Sequence, residues 1–81
     1  MTIAELNREI LSVVRSSTES EAEITKSTHL IKEMGLSSIE IMMLVFDLEN
    51  TFGVDIPVSK LRHVQTVGDL GQLVLDRLRI Q

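Results

Sequence analysis

The sequence predicts an all-α protein, a small four-helix bundle of three longer helices and one short helix. Apolar residues recur at helical spacing in three segments, and no segment alternates between polar and apolar residues as a strand would. The chain has 81 residues, which suffice for one domain, so we expect residues 1–81 to form a single domain. A core of this size supplies only about 3–5 kcal/mol of net stability, so an elaborate buried active site is not expected.

The first helix is predicted over residues 3–15. Thr2 and Glu5 have the spacing of a capping box, in which each side chain accepts a hydrogen bond from the backbone N–H of the other residue. An apolar series follows at helical spacing: Ile3, Leu6, Ile10, Val13 and Val14.

Residues 16–37 form a long segment rich in Ser, Thr and Glu. Segments of this length without regular structure are uncommon in small domains and are often functional. Apolar residues interrupt the segment, and we expect Ile24, Leu30, Ile31 and Met34 to anchor it to the core.

The second helix is predicted over residues 38–52. Gly35 breaks the chain before it, Ser37 and Glu40 form a second capping box, and Gly53 ends it. At about 100° per residue, one side of this helix is a core stripe of Ile41, Leu44, Val45, Leu48 and Phe52. The other side, called the outer face below, carries Ile39, Met42, Met43 and Phe46. An apolar outer face fits either a helix buried nearly all round or a patch that binds a protein partner.

Two further helices complete the bundle. Pro57 suits the first position of a short helix over residues 57–61, because its missing N–H costs nothing there. Thr66 is expected to cap the last helix, whose apolar stripe consists of Val67, Leu70, Leu73, Val74 and Leu78.

The charges are unevenly distributed along the chain. A net charge of -4 argues against a nucleic-acid partner, since phosphate binding needs clustered Lys and Arg. Residues 33–59, called the acidic stretch below, contain no Lys or Arg, and their acids are Glu33, Glu40, Asp47, Glu49 and Asp55. Such a stretch is either a solvated face or a docking surface for a basic partner.

Several classes of function are disfavoured by composition. Without Cys the chain has no disulfide, no thiolate metal cluster and no thiol nucleophile, so any thiol chemistry must come with a cofactor. His29 and His63 have no Cys with which to form a metal-binding or catalytic motif, so we expect neither a metal site nor an enzyme. The longest apolar run covers only residues 41–46, and the first ten residues lack the order of a secretion signal. We therefore expect a cytoplasmic protein with no membrane partner.

Ser38 is the residue that is best suited to covalent modification. It falls in the first turn of the second helix, directly after a glycine-containing bend, where its hydroxyl should be exposed. Backbone N–H groups without a helical partner and the helix dipole favour an anion at that end. A phosphodiester on the Ser38 oxygen would be well placed, although most serines at helix starts act only as caps.

Residues 34–40, with the sequence MGLSSIE, resemble the signature of the acyl carrier proteins of fatty-acid and polyketide systems. That family has the pattern Leu-Gly-x-Asp-Ser-Leu-Asp, followed by an apolar helix, an acidic-aromatic end and an Ile-Pro turn. The similarity continues through the second helix and its end, at Leu44, Leu48, Glu49, Phe52 and residues 55–57, and covers essentially the whole length.

The resemblance implies a four-helix bundle of acyl carrier type, in which a phosphopantetheinyl transferase attaches 4′-phosphopantetheine covalently to Ser38. Acyl groups would be held on the arm as thioesters and presented to acyl-loading and acyl-processing enzymes of fatty-acid, polyketide or related specialised biosynthesis. The protein would be a monomer and a substrate, with no catalytic residue of its own. The resemblance and the outer face together predict the docking surface: Ile39, Glu40, Met42, Met43, Phe46, Asp47 and Glu49.

Two departures from the family pattern favour a dedicated carrier over the housekeeping fatty-acid carrier. Ser37 stands where Asp is usual, and Met43 occupies a position that is often acidic. Peptidyl carriers share the fold but favour a Gly-Gly pair where this chain has Met34 and Gly35, and aminoacyl loading stays open. The alternative from another class is an unmodified helical adaptor that binds a protein through the outer face.

Overall fold

Four helices make up the fold in the computed structural model, which describes residues 2–18 and 23–80, the side chain of Ile80 excepted. They are α1 (Ile3–Thr18), α2 (Ser38–Phe52), a short 3-10 helix (Val58–His63) and α3 (Val67–Ile80). Within the described residues there is no strand, and an isolated bridge pairs His29 with Thr66. The predicted all-α bundle of three longer helices and one short helix is confirmed.

Helix α1 begins as predicted and ends three residues later than predicted. The N–H of Glu5 donates to Thr2 Oγ1 at 3.1 Å, and the N–H of Thr2 donates to Glu5 Oε1 at 3.0 Å, which completes the capping box. The polar residues after position 15 have modest helix propensity, and two hydroxyls of the added turn make hydrogen bonds, one of them to α2. Thr18 Oγ1 donates to the Val14 carbonyl and Ser17 Oγ donates to Asp47 Oδ2 on α2, both at 2.6 Å.

Helix α2 has the predicted bounds because both of its ends are capped. Ser37 precedes it in extended conformation and completes the second capping box with Glu40. Gly53 ends it with φ 65°, in the left-handed region that favours glycine. The N–H of Gly53 donates to the Glu49 carbonyl at 2.8 Å, so one of the orphan carbonyls of the last turn is satisfied.

One stripe of each α-helix faces a common core. The buried apolar residues on the helices are Leu6, Ile10, Val14, Leu44, Val45, Leu48, Val67, Leu70 and Val74. Ile41 and Phe52 of the predicted α2 stripe are partly buried against them, as are Val13, Leu73 and Leu78. A Cβ at Gly71 would lie only 3.2 Å from Ile10 Cδ1, so the small residue lets α1 and α3 approach closely.

The segment between α1 and α2 is anchored by its apolar residues, with one exception. Ile24 and Leu30 are buried and Met34 is partly buried against the core, as predicted, whereas Ile31 is 55% exposed. The prediction that Ile31 anchors the segment is wrong, because Leu30 occupies the core position and the next side chain of the turn faces outward. Residues 19–22 of this predicted segment lie outside the described residues.

Backbone hydrogen bonds tie the same segment to the start of α3. The N–H of Leu30 donates to the Gln65 carbonyl at 2.8 Å, and the N–H of Val67 donates to the Thr28 carbonyl at 3.0 Å. The N–H of Gly68 donates to the Lys26 carbonyl at 2.9 Å. The residues leading to α2 are therefore held in place without forming a helix or a sheet.

The short helix is shifted by one residue at its start and extended at its end relative to the predicted range. Pro57 is its N-cap, with ψ 137°, and the helical residues are Val58–His63. Its end is fixed by the Val64 N–H, which donates to the Leu61 carbonyl at 3.0 Å. Thr66 caps α3 as predicted, since the N–H of Asp69 donates to Thr66 Oγ1 at 3.1 Å.

Candidate attachment and docking site

Ser38 is the first residue of α2, and its side chain is exposed. Its neighbour Ser37 is committed to the cap: the Glu40 N–H donates to Ser37 Oγ at 3.2 Å, and the Ser37 N–H donates to Glu40 Oε1 at 3.1 Å. No hydrogen bond of the Ser38 hydroxyl is recorded among the described residues. Of the two adjacent serines, Ser38 therefore has the hydroxyl available for chemistry.

The bend before Ser37 is fixed by local hydrogen bonds and one buried side chain. Gly35 has φ 69°, and its N–H donates to the Ile31 carbonyl at 2.9 Å. The N–H of Leu36 donates to the Leu30 carbonyl at 3.1 Å, and the Leu36 side chain is buried. Gly35 adopts the left-handed conformation that an L side chain disfavours, and this turn directs the chain into the start of α2.

The environment of Ser38 fits a covalently attached phosphodiester. The first backbone N–H groups of a helix have no partner within the helix, and the helix dipole adds partial positive charge at this end. Glu40, the acid closest in sequence, uses its carboxylate to accept the Ser37 N–H in the cap. The donor set therefore suits an anion bonded to the Ser38 oxygen.

An open cleft of about 320 Å³ lies beside Ser38. Its volume is near the lower end of the range for small-molecule sites. The cleft is bordered by α2, the short 3-10 helix and the segment between α1 and α2. Its apolar lining residues are Ile31, Ile41, Met42, Val58, Leu61 and Val64. Among the described residues, Ser38 is the only serine and Arg62 the only charged residue that border it.

The outer face of α2 is exposed for most of its residues. Ile39 is 73% exposed, Met43 60% and Phe46 54%, whereas Met42 is partly buried and borders the cleft. The alternative of a helix buried nearly all round is therefore wrong. Together these side chains form an apolar patch next to Ser38, of the kind that marks interaction sites on soluble proteins.

The three predicted docking acids each make a contact within the protein. Glu40 and Asp47 are exposed, although Glu40 belongs to the capping box and Asp47 accepts a hydrogen bond from Ser17. Glu49 is partly buried, and its Oε2 accepts the N–H of Ile56 at 2.8 Å. Docking by these residues stays a prediction, and Glu49 has a structural role besides.

Six residues that border the cleft are not among the predicted site residues: Ile31, Ile41, Val58, Leu61, Arg62 and Val64. The sequence predicts that Ile31 anchors its segment to the core, and nothing in the sequence indicates that Val58 lies beside Ser38. For Arg62 a signal was present, because Lys60, Arg62 and His63 follow directly after the acidic stretch. Helical spacing within one helix could not show that the short 3-10 helix lies across the cleft from α2.

The described residues contain no group of three or more His, Asp and Glu side chains that could hold a metal ion. Among the helices in that part of the chain, none has the length and apolar content needed to cross a membrane.

Two acids in the described residues have a lowered pKa, and both take part in helix caps. Backbone and side-chain hydrogen bonds from Thr2 lower the pKa of Glu5. Backbone hydrogen bonds from Gln65 and Thr66 lower the pKa of Asp69.

Comparisons with known proteins cover most of the chain. Residues 8–74 match the family model described as "Phosphopantetheine attachment site". A protein of Amoebophilus asiaticus named "Acyl carrier protein" is 26% identical over 77 residues, which are 94% of this chain and 96% of that protein. A Caulobacter vibrioides protein named "Probable acyl carrier protein" is 33% identical over 54 residues, which are 67% of this chain and 63% of that protein.

A solved structure from Mycobacterium tuberculosis with the acyl carrier protein fold has a TM-score of 0.76 to this chain. The match covers 93% of this chain and 96% of that one at 21% sequence identity, and so it bears on the fold alone. The family model, in contrast, covers most of the chain and spans the whole of α2. It also implies a covalently attached phosphopantetheine, for which the start of α2 has a suitable environment. This chain therefore belongs to the acyl carrier protein family.

Proposed function

We propose that Ser38 carries the 4′-phosphopantetheine arm and that the protein presents acyl groups to the enzymes of a fatty-acid, polyketide or related specialised pathway. The observation that carries the proposal is the difference between two adjacent serines. The Ser37 hydroxyl accepts the Glu40 N–H in the cap, whereas the exposed Ser38 hydroxyl borders the cleft. A transferase can reach Ser38 without breaking the hydrogen bonds that start α2.

The arm supplies a terminal thiol on which acyl groups are held as thioesters, and this chain has no cysteine of its own to supply one. The protein's residues contribute position and surroundings. Ser37 and Glu40 fix the first turn of α2, Gly35 and Leu36 fix the bend before it, and the N–H groups of that turn favour the phosphodiester. The protein acts as a carrier, and partner enzymes perform the catalysis.

The outer face of α2 is the proposed docking surface for those enzymes. Ile39, Met43 and Phe46 offer apolar area, and unbranched Met side chains adapt to different partner surfaces. Glu40 and Asp47 are exposed beside them and would steer a partner with a basic rim toward Ser38. The Met34-Gly35 pair favours an acyl carrier over a peptidyl carrier, which would have Gly-Gly there.

Intact-mass spectrometry after incubation with coenzyme A and a broad-specificity phosphopantetheinyl transferase tests the attachment site. Wild type and Ser37→Asn should each gain the mass of one arm, because Asn preserves the cap. Ser38→Ala should gain none. Modification that persists in Ser38→Ala would refute the assignment. If wild type itself gains no arm while remaining folded, that result would favour the unmodified helical adaptor instead.

A further inference from the structure

Arg62 borders the cleft that lies beside Ser38. It lies in the short 3-10 helix, whose backbone is held by two hydrogen bonds of 3.0 Å, from the Lys60 N–H to the Pro57 carbonyl and from the Val64 N–H to the Leu61 carbonyl. Arg62 and Ser38 border the same cleft from different elements of the fold. A group bonded to the Ser38 oxygen therefore shares a cavity with the Arg62 side chain.

The cleft offers Arg62 no anionic side chain. None of the residues that border it is acidic, and no ion pair or hydrogen bond of the Arg62 side chain is recorded among the described residues. Arg77 provides the contrast, since its Nε donates to the Asp55 carbonyl at 2.8 Å. On the other side of Ser38, position 37 is the uncharged Ser and Glu40 is directed into the cap. Among the described residues that border the cleft, Arg62 thus meets no counter-charge.

We infer that the guanidinium of Arg62 binds the phosphodiester of the arm on Ser38. A guanidinium offers several N–H donors in a fixed plane that matches phosphate oxygens, and it stays charged at every working pH. The ion pair would hold the first part of the arm over the apolar cleft between α2 and the 3-10 helix. Arg62 would act as a positioning residue for the arm. The inference rests on the proposed attachment at Ser38.

The test uses the arm-bearing protein and 31P NMR of its phosphodiester. Arg62→Gln removes the charge, and Arg62→Lys retains it without the planar donor set. Lys60→Gln is the matched control, because Lys60 lies on the same short helix but borders a separate cavity formed with α3 residues such as Asp69 and Gln72. Arg62 and Lys60 are both exposed, so we expect each variant to retain the fold, and thermal unfolding checks this.

The 31P resonance should move in Arg62→Gln by several times the change seen in Lys60→Gln, with Arg62→Lys between them. Added NaCl should move the wild-type resonance toward the Arg62→Gln position and have little effect on Arg62→Gln itself, because salt screens exposed ion pairs. A 31P resonance that is equally insensitive to Arg62→Gln and Lys60→Gln would overturn the inference.

Mass spectrometry of the same samples separates this failure from failure of the proposed function. If every variant carries one arm on Ser38 and the 31P shift is unchanged in Arg62→Gln, only the role of Arg62 is refuted. If the wild type carries no arm, the attachment at Ser38 is refuted and the role of Arg62 falls with it.

Discussion

The carboxylate of Glu49 binds the backbone N–H of Ile56, with 2.8 Å between Oε2 and the nitrogen. The carbonyl of the same residue accepts the N–H groups of Gly53 and Val54 at 2.8 and 3.2 Å. A residue that the sequence pattern placed on the docking surface therefore also ends α2 and holds the turn toward the short 3-10 helix. Its side chain has a structural function that exists without any partner.

Glu49→Ala should lower the free energy of unfolding by about 1–3 kcal/mol, the cost of leaving a partly buried N–H without an acceptor. Glu49→Gln should lose less, because the amide oxygen can still accept the Ile56 N–H. Urea unfolding followed by circular dichroism measures both. Asn50→Ala, at an exposed neighbouring position, should change stability by less than about 0.5 kcal/mol. If Glu49→Ala and Asn50→Ala have the same free energy of unfolding, the hydrogen bond between Glu49 and Ile56 does not contribute to stability.

Leu30→Ala should destabilise the protein by about 2–5 kcal/mol, because Leu30 has no exposed surface and the substitution leaves a cavity in the core. A domain of this size has little stability to spare, so much of the protein should be unfolded at room temperature. Ile31→Ala is the matched control, since the adjacent side chain is 55% exposed. Equal melting temperatures for Leu30→Ala and wild type would show that the segment is not anchored through Leu30.

Asp69 should make the stability depend on pH in the acidic range. Its Oδ2 accepts the N–H groups of Gln65 and Thr66, and these hydrogen bonds hold the pKa of its carboxyl below the ordinary value near 4. With the folded-state pKa lower than the unfolded-state pKa, the stabilisation is present above about pH 4. It is lost as the pH falls through the folded-state pKa.

Urea unfolding of wild type and Asp69→Asn at pH 7, 5 and 3 measures this contribution. The variant should be less stable by up to about 1 kcal/mol at pH 7 and 5, the size of a helix cap, and the difference should shrink toward pH 3. Asp55→Asn, at an exposed position, corrects for the general effect of removing one negative charge. A difference between Asp69→Asn and wild type that grows on acidification would contradict the assigned direction of the pKa shift.

Local signals predicted most of the fold, because helix starts and ends are determined by neighbours in sequence. The capping box at Ser37 and Glu40 and the glycine at 53 fixed both ends of α2. The prediction failed where a contact between elements decides the outcome. Ser17 extends α1 by bonding Asp47 of α2, and Ile31 lies outside because Leu30 fills the core. Periodicity within one segment contains no information on either contact.

The candidate site likewise has one part that spacing within a helix predicts and one part that depends on contacts between elements. Ser38 and the outer face of α2 lie on one helix, so spacing along the sequence sufficed to bring them together. The cleft joins three separate parts of the chain. Arg62, the only charged residue that borders it in the described part of the chain, comes from the 3-10 helix. The sequence marks Arg62 only as one of the basic residues that follow the acidic stretch, and periodicity within one helix cannot show that it lies beside Ser38. The internal contact of Glu49 was missed for the same reason, since Ile56 lies beyond the end of α2.

Docking on α2 should depend more on the apolar side chains of the outer face than on its charges. Met43 and Phe46 are 60% and 54% exposed, so Met43→Ala and Phe46→Ala should leave the melting temperature nearly unchanged. Burying such a side chain against a partner contributes about 1.5–3 kcal/mol. Each substitution should therefore lower kcat/KM for arm transfer by the phosphopantetheinyl transferase about tenfold or more. Ile3→Ala, which removes an exposed apolar residue of α1, should leave kcat/KM unchanged.

The charges should act mainly on the rate of association. Glu40→Gln and Asp47→Asn remove one charge each while keeping an oxygen for the capping box and for the Ser17 hydrogen bond. Exposed ion pairs contribute only about 0–1 kcal/mol, so kcat/KM should fall by less than about fivefold, and the loss should vanish in high salt. A loss that persists in high salt would contradict a role of these charges in steering. Unchanged kcat/KM in both Met43→Ala and Phe46→Ala would show that the transferase docks elsewhere.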